Sequence, residues 1–403
     1  MKKTISGISM FSLWLGAAVS LAEIMTGSLL APLGLAKGIA VILTGHIIGT
    51  VILTAVGAIG FLEKKTAMET AMFSFGYSGA KIIALLNCIQ LIGWTSIMLI
   101  QCSKSLQVVT EKLFGFHHFM VLTILAGLLV LLWTLWGYHG KHLINNLAVI
   151  LLVGLCLYMI TFIFKGTPVP TVEQVSLPVA LELSIIMPLS WLPLISDYTR
   201  SAKSLPGSLW GSFLGYFLGS SFMYIIGLAC TIYTGSTNPI EMLTSLQMGP
   251  LAIIIILLST MTTTFLDVYS SVMSTRGITK RFSQSTLIVA YSAIGTVLAL
   301  YFPMESYQSF LYMIGSVFAP VFTIVLMDYY VLKKDYSHSH FNIMGIIAAA
   351  VGIYTYYQLV KMELLLGNAV PAMLVTGIIY AGLTQVTRYM KGKNPSTGIR
   401  LRP

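Results

Sequence analysis

Apolar blocks of about twenty residues, separated by short polar breaks, recur along the whole chain. That length is what a helix needs to cross a bilayer, since a rise of about 1.5 Å per residue must span about 30 Å of hydrocarbon. The pattern predicts twelve helices, over about 9–31, 37–61, 80–104, 118–137, 144–165, 178–197, 207–234, 249–275, 284–302, 307–332, 342–361 and 369–389. A membrane barrel would instead alternate apolar and polar residues in short strands. The first block lacks a small-residue cleavage site and many others follow it, so it reads as a retained helix. The expected fold class is an all-α polytopic membrane protein, with residues 1–403 forming a single membrane domain.

The informative positions are those that break the apolar pattern. Within Trp14–Pro32 lies Glu23, and a charge near mid-membrane costs roughly 2.5–3.5 kcal/mol unless it faces a cavity or a partner. Gly16, Ser20, Glu23 and Gly27 follow one another at spacings of four, three and four, which places them on one helix face. Small residues also serve close helix packing, so the glycines carry both readings. Glu23 points to a substrate or ion site.

The sixth predicted helix contains Met187-Pro188-Leu189-Ser190-Trp191-Leu192-Pro193. Each proline removes a backbone donor and clashes with the preceding turn, so this segment is expected to unwind or kink inside the membrane. Interruptions in helices 1 and 6 suit two inverted five-helix repeats, about 9–165 and 178–332, followed by extra helices over about 342–389. In such folds the freed carbonyls and half-helix ends build the midplane site.

The eighth helix carries Ser259, Thr262, Thr263, Thr264, Asp267, Ser270, Ser271 and Ser274. Ser259, Thr263, Asp267, Ser270 and Ser274 recur at about one helical turn. Hydroxyls often bond their own helix, but three adjacent threonines opposite a broken helix read as oxygen ligands for Na⁺. Asp267 is a second intramembrane acid and a functional candidate for that reason. On the third helix, Gln90-Leu91-Ile92-Gly93-Trp94 places an indole well inside the apolar span, where it could stack on a planar ligand; Trp191 is a similar candidate. His46 is read as a packing residue, and Glu182 as lying near the outer end of helix 6 within reach of water. Cys88, Cys102, Cys156 and Cys230 match no metal or redox spacing and read as buried small hydrophobes.

Composition agrees and adds orientation. The 403 residues are 56% hydrophobic and only 9% charged, with mean hydropathy +0.86. The formal charge of +10 could suggest a nucleic-acid partner. Of the 23 Lys and Arg, however, 18 fall in segments on the N-terminal side of the predicted topology and 5 on the other. That is the positive-inside bias of a cell-membrane protein with both termini cytoplasmic, so no nucleic-acid partner is expected. No loop is long enough for a catalytic head, and no phosphate loop, zinc spacing or nucleophile elbow occurs, so a carrier is expected rather than an enzyme.

The stretch Gly16–Gly27, Gly93-Trp94, Ser196-Asp197-Tyr198-Thr199-Arg200, Thr262-Thr263 and Pro320 through Met327-Asp328-Tyr329-Tyr330 together resemble nucleobase–cation symporter family 1. That family includes cytosine, hydantoin and allantoin carriers, and the chain is most similar to its branch described as hydroxymethylpyrimidine transporters. The resemblance implies a leucine-transporter-like 5+5 inverted repeat plus two C-terminal helices, and Na⁺-coupled uptake of a small planar heterocycle. Carried over by position, it makes Na⁺ ligands of the carbonyls of Gly16, Val19 and Ser259 and the hydroxyls of Thr262 and Thr263. It places Ser20, Trp94 and Ser190 at the substrate. Glu23 departs from the small polar residue of cytosine carriers, and the polar residues those carriers show around Thr264–Leu266 are absent here. The Glu23 carboxyl could pair with the amine and ring nitrogen of a 4-aminopyrimidine and so select it over an oxo-pyrimidine. The expectation is Na⁺-coupled uptake of hydroxymethylpyrimidine, the alternative an H⁺-coupled cytosine or other nucleobase permease. The oligomeric state stays open, and a monomer suffices for the site.

Overall fold

The computed structural model describes residues 5–138, 142–163, 167–169, 174–236, 249–301, 306–362, 364–391 and 400–401. Its helices are α1 (Gly7–Ala18), α2 (Leu21–Ser28), α3 (Leu35–Glu63), α4 (Ala67–Phe114), α5 (Phe119–Tyr138), α6 (His142–Ile163) and α7 (Leu177–Leu189). They continue with α8 (Ile195–Thr199), α9 (Leu205–Thr234), α10 (Gly249–Ile278), α11 (Gln284–Ala299), α12 (Tyr307–Leu326), α13 (Ile343–Val360) and α14 (Ala369–Lys391).

Among the described residues eight helices are long and apolar enough to cross a membrane, and the bent pair α1–α2 makes a ninth. Shorter apolar helices, Leu147–Thr161, Leu177–Leu189 and Gln284–Ala299, occupy the fifth, sixth and ninth predicted positions. Every predicted span therefore has a helix or a broken pair in its place. The burial is reversed from that of a soluble protein. Leu132, Ile150, Trp210 and Ile378 are exposed, while Glu23, Glu182, Asp267 and Asp328 are buried. Apolar side chains outside and polar groups inside are what a lipid solvent favours.

The predicted helix 9–31 is two helices meeting at a 56° bend. Val19 (ψ 80°) and Ser20 (φ −134°, ψ 158°) leave the helical region, and Ser20 Oγ accepts the Glu23 amide at 3.3 Å as the cap of α2. The four-residue face drawn through Gly16, Ser20, Glu23 and Gly27 is thus interrupted at its second member. Gly16 lies against Val149 and Gly27 against the Tyr224 backbone, so the two glycines serve close packing.

The sixth span is likewise two helices, α7 and α8, with residues 190–194 in turns. Pro188 is accommodated in the last turn of α7, and Pro193 has no amide to offer the Leu189 carbonyl, which accepts the Leu192 amide at 3.1 Å instead.

Two sequence expectations need correction. Residues 62–79 do not form a loop throughout, because α4 begins at Ala67 behind a Thr66–Glu69 capping box. It then breaks at Gly76 (φ 75°), whose neighbours pair with another backbone segment: Tyr77 N donates to Ser339 O at 2.9 Å and Asn342 N to Phe75 O at 3.1 Å. Glu182 does not reach water. It is fully buried and accepts from Tyr356 Oη at 2.7 Å, Asn368 N at 2.6 Å and Ala369 N at 3.0 Å, joining α7 to α13 and the start of α14.

Segments predicted to share the inner side meet at one end of the molecule. Ile5 bridges Ala202, Ala67 N donates to Asp197 Oδ1 at 3.0 Å, and Tyr329 Oη donates to Glu63 Oε1 at 3.0 Å. Lys334 and Asp335 pair with Leu401 and Arg400. Lys2, Lys3, Lys141, Lys165, Lys393, Arg402 and His139 lie outside the described residues.

Candidate substrate and ion site

The two broken spans leave backbone carbonyls without their helical donors. At the α1–α2 break, Ser20 N donates to Ala18 O at 2.9 Å rather than to Gly16 O, and Glu23 N donates to Ser20 Oγ rather than to Val19 O. The Leu21 amide, which a continuous helix would direct to Ala17 O, donates to Ser259 Oγ of α10 at 3.1 Å. Ala17 O accepts the Thr263 hydroxyl at 3.2 Å. Thr262 Oγ1 turns to its own helix, donating to Leu258 O at 2.8 Å and Ser259 O at 3.2 Å. Of the five expected ion ligands, Ser259 and Thr263 reach the α1–α2 break through their hydroxyls, Gly16 O and Val19 O lose their helical donors there, and the Thr262 hydroxyl and Ser259 carbonyl bond each other within α10.

The second break is held by amides of α4. Asn87 Nδ2 donates to Pro193 O at 3.2 Å and to Ser274 Oγ at 2.8 Å, and Gln90 Nε2 donates to Ser190 O at 3.2 Å. Tyr198 Oη, on α8, donates to Leu266 O of α10 at 3.2 Å, and its oxygen lies 3.2 Å from Ser270 Oγ. Every freed carbonyl tied off in this way is one fewer unsatisfied group in a medium without water.

Between the breaks lies a small cavity lined by Ala17, Ser20, Glu23, Trp94, Trp191 and Asp267, with Thr263, Met98 and Met187 beside them. It leaves about 10 Å³ for the centre of a water molecule, room for roughly one water. Small-molecule pockets usually enclose several hundred Å³, so this cavity is much smaller than one. Two indoles bound it. Trp94 meets Phe310 edge-on with ring centres 5.4 Å apart, and Trp191 meets Trp14 edge-on at 5.7 Å. These T-shaped contacts fix the orientation of each indole.

The two acids of the cavity are held differently. Glu23 Oε1 accepts from Tyr216 Oη at 3.0 Å and Oε2 from Ser220 Oγ at 2.7 Å. Asp267 is equally buried, and its Oδ2 has no hydrogen-bond partner among the described residues.

Residues 1–394 match the family described as permeases for cytosine/purines, uracil, thiamine and allantoin. The chain belongs to this family. It is 23% identical to the cytosine permease of Escherichia coli strain K12 over 355 residues, 83% of each chain. It is 21% identical to the hydantoin permease of Microbacterium maritypicum over 427 residues, 96% of this chain and 86% of that one. Among solved structures it resembles a nucleobase-cation-symport-1 family transporter in a closed conformation with bromovinylhydantoin bound, at 16% identity and TM-score 0.83, over 96% of this chain and 94% of that one. It also resembles a Na⁺-coupled sialic acid symporter, at 14% identity and TM-score 0.71, over 95% and 90%. This permease thus has the expected all-α, leucine-transporter-like fold, and its relatives are transporters rather than enzymes.

Of the residues singled out from the permease sequence, Ser20, Glu23, Trp94, Trp191, Thr263 and Asp267 line one cavity. Ser190 is not among its lining residues: its hydroxyl donates to Met187 O at 2.7 Å and its carbonyl is taken by Gln90. The sequence reading missed Asn87, Tyr216 and Ser220, and it set His46 aside. Tyr216 and Ser220 each follow a glycine, Gly215 and Gly219, four apart on the face of α9 that packs against α1 and α2. Asn87 and Gln90 share an α4 face at a spacing of three. Those spacings were the available signal.

Proposed function

We propose that this permease is a secondary active transporter that couples inward Na⁺ movement to uptake of a planar pyrimidine, hydroxymethylpyrimidine or a close relative. The observation that carries the substrate reading is the unpartnered carboxyl oxygen of Asp267 in a cavity bounded by Trp94 and Trp191. A buried polar atom without a partner is costly, and a ligand that supplies one recovers that cost. A carboxylic acid can accept from an exocyclic amine and donate to the ring nitrogen beside it, the edge that a 4-aminopyrimidine presents. Glu23 lies at the same cavity but already has a donor on each oxygen, so Asp267 takes the recognition role and Glu23 supports it.

The ion reading assigns Na⁺ to the carbonyls of Gly16, Val19 and Ser259 and the hydroxyls of Thr262 and Thr263. It is supported by the freed α1 carbonyls and by the Thr263 hydroxyl at Ala17 O, with the Thr262 hydroxyl having to leave its own helix. Transport would alternate the access of this midplane site between the two sides, with repeats of about 9–165 and 178–332 moving against each other. Both termini would be cytoplasmic in a cell membrane, following the Lys and Arg bias. An H⁺-coupled cytosine or other nucleobase permease is the second reading, favoured by the hydrogen-bonded Glu23.

The test is uptake of radiolabelled hydroxymethylpyrimidine into proteoliposomes, with and without an inward Na⁺ gradient, and with unlabelled cytosine and thiamine as competitors. Accumulation that requires Na⁺ and resists cytosine supports the proposal. Accumulation driven only by a pH gradient moves the coupling to H⁺, and no uptake refutes the substrate.

A further inference from the structure

His46 of α3 is fully buried, and both of its ring nitrogens are engaged. Nδ1 lies 2.8 Å from Ile42 O, an oxygen that can only accept, so Nδ1 carries a proton. Nε2 contacts Ser220 Oγ, and Ser220 Oγ in turn contacts Glu23 Oε2 at 2.7 Å. The line Ile42–His46–Ser220–Glu23–Tyr216 thus runs from a backbone carbonyl to the wall of the cavity.

A count of donors decides how many protons this line holds. Ser220 has one hydroxyl hydrogen and two flanking contacts. With Glu23 ionised and His46 neutral, Ser220 satisfies only Oε2 or Nε2, and the other contact sets lone pair against lone pair. With one added proton every contact is satisfied, in either of two ways. The carboxyl hydrogen of Glu23 can point to Ser220 while Ser220 donates to Nε2. Alternatively, Nε2–H can point to Ser220 while Ser220 donates to the Glu23 carboxylate. Tyr216 donates to Oε1 in both forms. With two added protons Ser220 Oγ accepts from both Oε2–H and Nε2–H, its own hydrogen then has no acceptor in the line, and a buried net positive charge remains.

We propose that Glu23 and His46 hold one shared proton through the Ser220 hydroxyl, making a proton-binding site at the edge of the substrate cavity. The two forms interconvert by two concerted hops along the line, with no change in total charge. The loaded pair is neutral overall, and losing the proton leaves an uncompensated negative charge beside the cavity. Other ionisable groups on the surrounding elements are Tyr216 and Tyr224 of α9, Tyr307 of α12, Asp267 of α10 and Glu182 of α7. None carries a permanent positive charge, and no Lys or Arg is buried among the described residues. The loaded pair is therefore present at the acid side and lost as pH rises, and transport is expected to decline as the proton leaves.

The proton count is read on purified protein without substrate or Na⁺, so its failure is distinct from a failure of the transport assignment. Infrared spectroscopy reports the protonated carboxyl stretch of Glu23, assigned by Glu23→Gln. Nitrogen-15 NMR reports the protonation of the His46 ring, assigned by His46→Gln. The expected result at neutral pH is a total of one shared proton, on Glu23, on His46 or divided between them. An ionised Glu23 beside a neutral His46, or both groups protonated, overturns the proposal. Should Glu23→Gln not fold, Tyr216→Phe assigns the same band by shifting it through loss of the donor on Oε1. Ser220→Ala is expected to move the pH of proton loss by at least one unit, whereas Ser221→Ala, whose Oγ has no partner among the described residues, leaves it in place. An unmoved titration in Ser220→Ala also overturns the proposal.

Discussion

Glu23 and Asp267 face the same cavity from α2 and α10, but Glu23 has a hydroxyl donor on each oxygen while Asp267 Oδ2 has none among the described residues. The two acids are equally buried and unequally satisfied, and the unequal cost of that burial is what the proposed substrate role of Asp267 rests on.

Asp267→Asn is expected to lower substrate affinity at least tenfold, about 1.4 kcal/mol. The same change should leave the thermal midpoint of the solubilised permease unchanged or raised, because it removes an unpartnered buried acid. Competition uptake and thermal unfolding check the two halves. A full-affinity variant with a lowered midpoint would assign Asp267 to structure.

Glu182 shows the opposite pattern, with donors from Tyr356, Asn368 and Ala369. Glu182→Ala strands these donors and is expected to cost about 3 kcal/mol, seen as a lower thermal midpoint. The KM for substrate in the surviving fraction should not move, since Glu182 is not among the residues lining the cavity.

Thr263 donates its hydroxyl to Ala17 O at the α1–α2 break. Thr263→Val keeps the shape and loses the oxygen. It is expected to raise the Na⁺ concentration for half-maximal uptake about tenfold, about 1.4 kcal/mol. Thr263→Ser should restore it. Equal Na⁺ curves for the two variants would remove Thr263 from the ion site.

Trp94 is fixed edge-on by Phe310 and Tyr307. If the substrate stacks on it, Trp94→Phe should cost about 0.5–1 kcal/mol of affinity and Trp94→Ala about 1.5 kcal/mol or more. Direct binding measured by calorimetry gives the comparison; identical affinities for both variants would argue against stacking.

Much of this was legible from one-dimensional pattern. Spans come from the period and length of apolar blocks, because a bilayer allows few alternatives. The unwinding near Pro188 and Pro193 follows from a missing amide, and the chemistry of Glu23, Asp267 and Thr263 from the cost of a polar group in hydrocarbon. The helix before Gly76 is not visible in the apolar pattern, because the segment is less apolar than its neighbours, although its Thr66–Glu69 cap is readable.

Partnership was not legible. Sequence alone could show that Glu23, Glu182 and Asp267 are acids within apolar spans, and that such groups require a partner or a cavity. Whether Tyr216 and Ser220 would satisfy one, the start of α14 another, and one oxygen of the third stay unpartnered among the described residues, depends on which helix faces lie side by side. Those faces are set by packing between residues hundreds of positions apart, such as Leu21 and Ser259, and local pattern carries no record of it. For the same reason His46 read as a packing residue until α9 brought Ser220 between it and Glu23.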